Sequence, residues 1–255
     1  MVDIGIIGGS GFYEFFEHME EVSIDTHYGK ASDKIAIGTF EGKKIAFIPR
    51  HGKQHQYAPH NIPYKANLAA LKELGVKWII APTACGSLNE KMKIGDFVIT
   101  DQYINFTHKR DNTFRIEGVE HISMAQPYCE ALRELAIKVG NEMGITVHKQ
   151  GTMIVIEGPM FSTKAESRFY KLIGGDTINM TQYPECYLAR ELGMCYLNIS
   201  VITDYDAGLE GNPNIKPVSY QQVQESFAHS IDTLKMYIKL ILRQLDTTQI
   251  NCCNK

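Results

Sequence analysis

The chain has 255 residues, of which 44% are hydrophobic and 22% are charged, an ordinary globular composition that excludes a disordered protein. Its formal net charge of −3 argues against binding to a nucleic-acid backbone, which requires a basic face. The first residues, with Asp3 among them, do not resemble a signal peptide, and no apolar run is long enough to span a bilayer. We therefore expect a cytoplasmic protein with no nucleic-acid or membrane partner.

Short β-rich runs alternate with helical patterns along the whole chain. Strands are predicted at residues 2–7, 34–39, 44–48, 77–82, 96–100, 152–156, 177–180 and 194–203, and helices at 63–74, 127–143, 164–172, 184–192 and 219–245. The alternation predicts a single-domain α/β fold with a central mixed sheet covered by helices. We assign this domain to residues 1–245 and a polar, cysteine-containing tail to residues 246–255. In such sheets ligands bind where strands end.

The first predicted strand is followed by the glycine-rich turn Gly8-Gly9-Ser10-Gly11. Such a turn exposes backbone N–H groups that bind anions, and Ser10 adds a hydroxyl. The turn is not a dinucleotide-binding fingerprint, because Glu14 stands where the third glycine belongs. A purely structural turn is the alternative interpretation.

Basic side chains follow the third predicted strand. Arg50 and His51 come first, and Lys53, His55 and His60 lie close behind. Arginine offers a planar fork that matches phosphate oxygens, and histidine adds a donor that titrates near neutral pH. A solvated basic loop is the alternative. We expect no metal here, because the spacing matches no helical metal motif and no acid or cysteine lies among the histidines.

Three other predicted strands also end in polar side chains. Thr83 follows the fourth, with Cys85 close by, and Thr181 follows the seventh. Cys85 is expected to be a small packing residue rather than a nucleophile. Asp204 and Asp206 follow the eighth, where two acids can act as caps, as magnesium ligands or as general acid and base. Together the strand ends predict an anion site beside a pair of carboxyl groups.

Seven segments then occur in one order: IGIIGGSGF, PRHGKQH, TACGSLNEKMKIGDFVITDQYI, HISMAQPYC, GTMIVIEGPMFSTKAES, NMTQYPECYLARELGMCY and TDYD. On these segments the chain resembles the methylthioadenosine phosphorylases of the trimeric purine nucleoside phosphorylase family. The resemblance implies a mixed sheet bent into a distorted barrel surrounded by helices. It implies phosphorolysis of 5′-methylthioadenosine to adenine and 5-methylthioribose 1-phosphate, with inorganic phosphate as co-substrate and no cofactor. It also implies a homotrimer and leaves open the pairing of trimers into a hexamer.

The resemblance assigns a role to each matching position. The residues implied to bind phosphate are Ser10, Arg50, His51, Thr83, Ala84 and Thr181. Met180 is expected against the ribose, and Phe161 and Ser162 are expected beside the base. His121 is expected to reach into the pocket of a neighbouring subunit, near the 5′ substituent.

The two acids are implied to act on the purine. Asp204 is expected to donate a proton at N7, which requires a raised pKa, and Asp206 to accept a hydrogen bond from the 6-amino group. Family members that prefer 6-oxopurines carry asparagine near this position, so the acid pair favours adenine. Residues 207–218 and Gln224 depart from the family pattern around the 5′ substituent. Adenosine, inosine, guanosine and methylthioinosine therefore stay as alternative substrates, and a hydrolase or a non-catalytic nucleoside-binding protein as alternative classes.

Six cysteines stand at positions 85, 129, 186, 195, 252 and 253, without Cys-x-x-Cys spacing. Reduced, mostly buried thiols are one interpretation, and structural disulfides are the other. Cys129, Cys186 and Cys195 together with the Cys252–Cys253 tail resemble the arrangement in disulfide-bearing archaeal members, which suggests disulfides; both alternatives stay open.

Overall fold

The computed structural model describes residues 2–9, 17–115, 118, 120–209 and 215–246. The helices are α1 (Tyr64–Glu73), α2 (Glu130–Met143), α3 (Lys164–Leu172), α4 (Gln182–Glu191) and α5 (Tyr220–Gln244), with a 3-10 turn at Pro59–Asn61. The strands are β1 (Ile4–Gly8), β2 (Glu17–Val22), β3 (Asp25–Thr26), β4 (Gly29–Lys30), β5 (Ile35–Phe40), β6 (Lys43–Pro49), β7 (Trp78–Ser87), β8 (Phe97–Ile99), β9 (Gln102–Phe106), β10 (Val147–His148), β11 (Thr152–Ile156), β12 (Thr177–Asn179) and β13 (Cys195–Asp204).

A mixed sheet of eleven described strands organises the fold. Its main path runs β10-β8-β13-β7-β1-β6-β5-β2, and β3 pairs with β4 separately. Strands β6, β1, β7 and β13 are neighbours and run parallel. The far end of β7 also pairs with antiparallel β12, which connects β11 and β9 to the sheet. Strand β7 thus pairs in two sections of the sheet. A sheet that forms a distorted barrel bends at such a shared strand. The predicted α/β fold with a central mixed sheet is confirmed.

Helices cover both faces of this sheet. On one face Leu132 of α2 and Ile238 of α5 pack with Ile199 of β13. On the other face buried side chains of α1 and α4, such as Leu68 and Leu188, pack against the sheet. Burial on both faces explains why β7 and β13 read as near-continuous apolar runs in the sequence. None of the helices in the described part of the chain has the length and apolarity needed to cross a membrane.

Two central strands end later than the sequence pattern predicted. Strand β7 continues to Ser87, so that Thr83 and Cys85 lie within the strand rather than after it. Strand β13 continues to Asp204. Proline and glycine are poor strand formers, which is why Pro82 looked like a strand end. Pairing with β13 and β12 on either side outweighs that local preference.

Several short elements were not predicted at all. Strand β2, with the sequence EHMEEV, lies at the edge of the sheet, where charged side chains prevent further pairing and hide the strand pattern. Strands β3, β4, β9 and β10 were also missed, and α2 begins at Glu130 rather than at residue 127. The predicted tail at 246–255 falls almost wholly outside the described residues and stays a prediction.

Candidate active site

The carboxyl ends of β1, β6, β7 and β13 meet at one edge of the sheet because these strands are parallel neighbours. Arg50 follows β6 directly, and its backbone N–H donates to the carbonyl of Gly8, at the end of β1, over 2.8 Å. Thr83 lies in the second half of β7, and Asp204 is the last residue of β13. The fold therefore brings together the strand ends that the sequence singled out.

Arg50 lies at the centre of this edge and is 3% exposed. Its Nε donates to Oε2 of Glu185 over 2.7 Å, and its Nη2 donates to Oε1 over 2.8 Å. Nη2 also donates to the carbonyl of Ile7 over 2.9 Å, and Nη1 donates to the carbonyl of Pro82 over 3.2 Å. A guanidinium group has five N–H donors. One N–H of Nη1 is thus left without a partner among the described residues.

The charge of Arg50 is stable despite its burial. Burial disfavours the cation, but the paired carboxylate of Glu185 stabilises it by more than this cost. The pKa of Arg50 is therefore raised above its usual value. The alternative of a solvated basic loop is therefore wrong for Arg50. It fits Lys53, His55 and His60, which are exposed.

His51 presents a neutral imidazole to the site. Its Nδ1 lies 2.9 Å from the carbonyl of Tyr57, so Nδ1 carries the proton in the neutral ring and Nε2 is left as an acceptor. The ring stacks on that of His55, with 4.4 Å between centroids. Burial lowers the pKa of His51 to about 4; the Tyr57 carbonyl opposes this shift, and the charge of Arg50 adds to it. The neutral imidazole can accept a hydrogen bond from a ligand such as hydrogen phosphate.

This lowered pKa predicts a loss of stability in acid. Above pH 6.5 His51 is neutral in both the folded and the unfolded chain. Between pH 6.5 and 4 the unfolded chain gains a proton that the folded chain does not, so acid favours unfolding. We expect His51→Gln to reduce the fall in unfolding free energy over this range by about 2 kcal/mol. Urea unfolding of both proteins in phosphate-free buffer measures the difference, and identical pH dependences would contradict the assignment.

Thr83 belongs to a buried hydrogen-bond network between β7 and β13. Asn198 donates from Nδ2 to Oγ1 of Thr83 over 3.0 Å. The hydroxyls of Thr100 and Ser200 donate to Oδ1 of Asn198 over 2.6 and 2.7 Å. Oγ of Ser200 lies 3.0 Å from Oγ1 of Thr83. Because Asn198 holds the Thr83 oxygen and engages the Ser200 proton, the hydroxyl proton of Thr83 is available to Ser200 or to a ligand.

The other predicted phosphate-binding residues are placed less completely. Thr181 is buried directly before α4, and half-buried Ala84 follows Thr83 in β7. Ser10 lies outside the described residues. The roles of these three residues in binding phosphate stay predictions.

Asp204 is 4% exposed at a register shift between β13 and β7. Such irregularities re-aim side chains beside active sites. Oδ1 accepts the backbone N–H of Asp206 over 2.8 Å, and Oδ2 lies 2.8 Å from the hydroxyl of Thr203. Burial raises the pKa of Asp204, and the hydrogen bonds from Thr203 and Asp206 oppose the shift. The Thr203 hydroxyl also reaches the carbonyl of Cys85 over 3.2 Å, and a protonated Oδ2 satisfies both contacts by donating to Thr203.

Asp204 fills the space beside Gly86, its partner in β7. A side-chain carbon on Gly86 would lie 2.7 Å from Oδ1 of Asp204, which is too close for any residue larger than glycine. Gly86 and Thr83 are three steps apart along β7, or about 10 Å at roughly 3.3 Å per residue. Thr83 and Asp204 therefore lie at different points along the paired strands β7 and β13.

Asp206 is 2% exposed and has a left-handed backbone, with φ of 50°. Non-glycine residues in this conformation are uncommon and concentrate at functional sites. Burial raises the pKa of Asp206, opposed by the neighbouring hydroxyls of Ser167 and Ser162 and the amide of Ala207. Oδ2 of Asp206 and Oγ of Ser162 are buried without a hydrogen-bond partner of good geometry in the described part of the chain. Buried polar atoms normally have partners, so these two indicate a ligand.

The residues expected beside base and ribose lie on two adjoining loops. A side-chain carbon on Gly158 would lie 2.5 Å from Sδ of Met180, so the loop that carries Phe161 and Ser162 packs against Met180. Phe161 and Met180 are half-buried. His121 is exposed in the irregular segment before α2. The contacts of all four residues with a substrate stay predictions.

Two residues that sequence analysis missed hold the site together. Glu185 pairs with Arg50, and its place after Pro184 in the quoted segment was the available signal. Arg110 donates to the carbonyls of Ile156, Glu157 and Tyr183, and so ties the Phe161 loop to the start of α4. Its Nε also bonds the Glu157 carboxylate over 3.2 Å.

The described cysteines are not placed as nucleophiles. Cys85, Cys129, Cys186 and Cys195 are all buried, as the interpretation of packed thiols predicts. Burial raises the pKa of Cys85, with the neighbouring Asp204 adding to the shift, so its thiol stays protonated. Cys252 and Cys253 lie outside the described residues.

Comparison with known proteins places this geometry in a family. The profile of the Phosphorylase superfamily matches residues 3–243. A protein of Pyrococcus abyssi named S-methyl-5′-thioadenosine phosphorylase is 54% identical over 88% of this chain and 85% of its own. A protein of the same name from Nitrosopumilus maritimus is 46% identical over 100% of this chain and 96% of its own.

A solved structure agrees with these relatives. Methylthioadenosine phosphorylase from Schistosoma mansoni, in complex with adenine, superposes with a TM-score of 0.91 at 34% identity, covering 98% of this chain and 95% of that one. Because the family profile, the sequence identity and the fold agree over nearly the whole length, the chain belongs to the phosphorylase superfamily.

Proposed function

We propose that this protein is an enzyme that uses inorganic phosphate to cleave 5′-methylthioadenosine into adenine and 5-methylthioribose 1-phosphate. The observation that carries the proposal is the meeting, at one edge of the sheet, of donors at Arg50 (after β6) and Thr83 (in β7) with buried acids at Asp204 (the end of β13) and Asp206. The names of the relatives from Pyrococcus abyssi and Nitrosopumilus maritimus support the same reaction.

The reaction proceeds by displacement at the anomeric carbon. A phosphate oxygen bonds to C1′ while the bond from C1′ to N9 breaks, and the bonding electrons pass to the purine. Cationic charge develops on the ribosyl group in the transition state, and the bound phosphate offsets it. The hydrogen that adenine gains is balanced by the one that hydrogen phosphate loses. Apart from phosphate, the proposed reaction needs no cofactor.

The chain supplies positions and protons for this displacement. Arg50, His51 and Thr83 hold phosphate on one side of the ribose, with Ser10, Ala84 and Thr181 as further contacts. Met180 lies against the ribose, between the phosphate-binding residues and the acids. Holding both reactants in line supplies much of the rate enhancement, since a bimolecular step becomes effectively unimolecular.

The acids act at the other end of the substrate. Asp204, whose pKa is raised by burial, donates to N7 and relieves the negative charge that develops on the leaving base. Asp206, through its unpartnered Oδ2, accepts from the 6-amino group of adenine. An inosine or guanosine substrate would present a carbonyl oxygen there, which an acceptor carboxylate disfavours. Phe161 and Ser162 flank the base.

We also propose that the enzyme acts as a homotrimer in which His121 completes the 5′ pocket of a neighbour. The exposure of His121 in the single chain supports this arrangement. The methylthio group is the proposed 5′ substituent, and adenosine is the substrate to compare.

Purine release tests the proposal. We expect adenine release from 5′-methylthioadenosine only with phosphate present, faster than from adenosine and much faster than hypoxanthine release from inosine. Turnover that persists without phosphate would indicate a hydrolase, and a preference for inosine would overturn the roles of the two acids. Sedimentation equilibrium on the same preparation measures whether the mass is three times that of the chain.

A further inference from the structure

Glu185 contacts no proposed substrate atom, yet it is the closest charged neighbour of the proposed phosphate ligand Arg50. We propose that Glu185, held in place by Tyr196, is a positioning residue that aims at phosphate the N–H of Arg50 for which the described residues supply no partner. This inference rests on the proposed function, because it assigns Glu185 a part in binding the phosphate co-substrate.

Both oxygens of the Glu185 carboxylate accept hydrogen bonds. It is 1% exposed in the first turn of α4. Oε2 accepts Nε of Arg50 over 2.7 Å, while Oε1 accepts both Nη2 of Arg50 over 2.8 Å and the hydroxyl of Tyr196 over 2.6 Å. Two parallel bonds between a carboxylate and a guanidinium group fix the plane of both. Tyr196, on β13, is 1% exposed and prevents the carboxylate from rotating.

The remaining contacts of Arg50 leave one direction open. The carbonyls of Ile7 and Pro82 bind Nη2 and Nη1 from β1 and β7, while Glu185 binds the Nε edge from α4. Three elements therefore surround the guanidinium group, and the free donor is on Nη1. Since the plane is fixed, the direction of this N–H is fixed as well. It is a directed donor rather than a mobile charge.

Glu185 keeps Arg50 charged in its buried position, but it also weakens the attraction of that charge for an anion. The ion pair cancels most of the charge of Arg50, and Glu185 itself repels an anion in a poorly hydrated site. A site that bound phosphate by charge would be stronger without it. A buried carboxylate beside an anion-binding arginine is instead expected where orientation matters more than net charge.

Three substitutions separate orientation from charge. Glu185→Asp keeps the charge but withdraws the oxygens by one methylene. Tyr196→Phe keeps the whole ion pair but removes the hydroxyl that holds it. Glu185→Gln keeps the shape, removes the charge and places an amide N–H against an arginine N–H. We expect phosphate binding to weaken about 10-fold or more in both Glu185 variants and about threefold in Tyr196→Phe.

Calorimetric titration of the intact enzyme with inorganic phosphate measures these affinities. The KM values for phosphate and for nucleoside are measured alongside, and we expect the phosphate KM to rise with the nucleoside KM changed less than twofold. Glu191→Gln is the matched control. Glu191 is the last residue of the same helix, its side chain is 2% exposed, and it binds Thr113 and Phe114 rather than Arg50. It is expected to leave phosphate affinity unchanged.

Two results would overturn the proposal. Tighter phosphate binding in Glu185→Gln with unchanged binding in Glu185→Asp would show that Glu185 only damps charge, and would overturn the proposal. Unchanged phosphate affinity in a folded Tyr196→Phe and Glu185→Asp would overturn it as well. If the Glu185 variants do not fold, Tyr196→Phe decides. Phosphate binding by the wild-type protein without purine release would refute the proposed function and still allow this test.

Discussion

Asp204→Asn is expected to lower the turnover of 5′-methylthioadenosine by about 100-fold or more, the usual contribution of a positioned general acid. Burial raises the pKa of Asp204, which favours the protonated acid that we propose donates to N7 of the departing base. An asparagine amide can donate a hydrogen bond but cannot deliver a proton. Because an amide also tolerates a 6-oxopurine, we expect the preference for adenine nucleosides over inosine to decrease. Steady-state kinetics with paired substrates measures both effects.

The pH dependence gives a second readout of the same group. As the pH rises through the raised pKa of Asp204, the wild-type enzyme loses its proton donor and its turnover falls; the variant lacks this dependence. Asp96→Asn is the control. Oδ2 of Asp96 lies 2.8 Å from Nε2 of His148, a residue of strand β10, and this pair is not part of the site. Wild-type turnover in Asp204→Asn would remove Asp204 from the role of proton donor.

Arg50→Ala is expected to lower kcat/KM for phosphate by about 100-fold, since a charge-assisted donor to an anion is lost in a buried site. The same change leaves the buried carboxylate of Glu185 without its cation, so we expect the free energy of unfolding to fall by about 3 kcal/mol. Initial rates over a range of phosphate concentrations, together with urea unfolding, measure the two effects separately.

A second buried arginine provides the control for Arg50. Arg133 is 7% exposed on α2 and donates to the carbonyls of Thr100 and Lys149. Arg133→Ala is expected to lower stability while leaving the phosphate dependence near that of the wild type. If Arg50→Ala retained the wild-type phosphate dependence, Arg50 would not bind phosphate. Equal kinetic losses in both variants would attribute the loss to general destabilisation.

Local sequence patterns were sufficient to predict which strand ends come together. Arg50, Thr83 and Asp204 were identified because polar side chains after apolar strands are conspicuous, and parallel strands bring their ends together. The acidic edge strand β2 was missed because its charges hide the alternation of a strand. The extension of β7 beyond Pro82 was missed because it depends on partners more than 90 residues away in the chain.

The partners that orient these side chains were not predictable from local pattern. Glu185 lies 135 residues from Arg50 in the sequence, and nothing in its neighbourhood marks it as the partner of that arginine. Asn198 and Ser200 read as polar interruptions of an apolar strand until β13 is placed against β7. The spare donor on Nη1 emerges only when the four occupied donors are counted in three dimensions.

The continuous pairing of β7 with β13 has a consequence for substrate length. Thr83 and Gly86 belong to one strand, opposite Ser200 and Asp204 in its neighbour, so backbone hydrogen bonds set the distance between the two ends of the site. A one-residue insertion in either strand alone would turn the following side chains to the opposite face and dismantle the site. Changes in the loops can therefore alter which base or 5′ group is accepted. The interval between Thr83 and Gly86, in contrast, is fixed by the pairing of the strands.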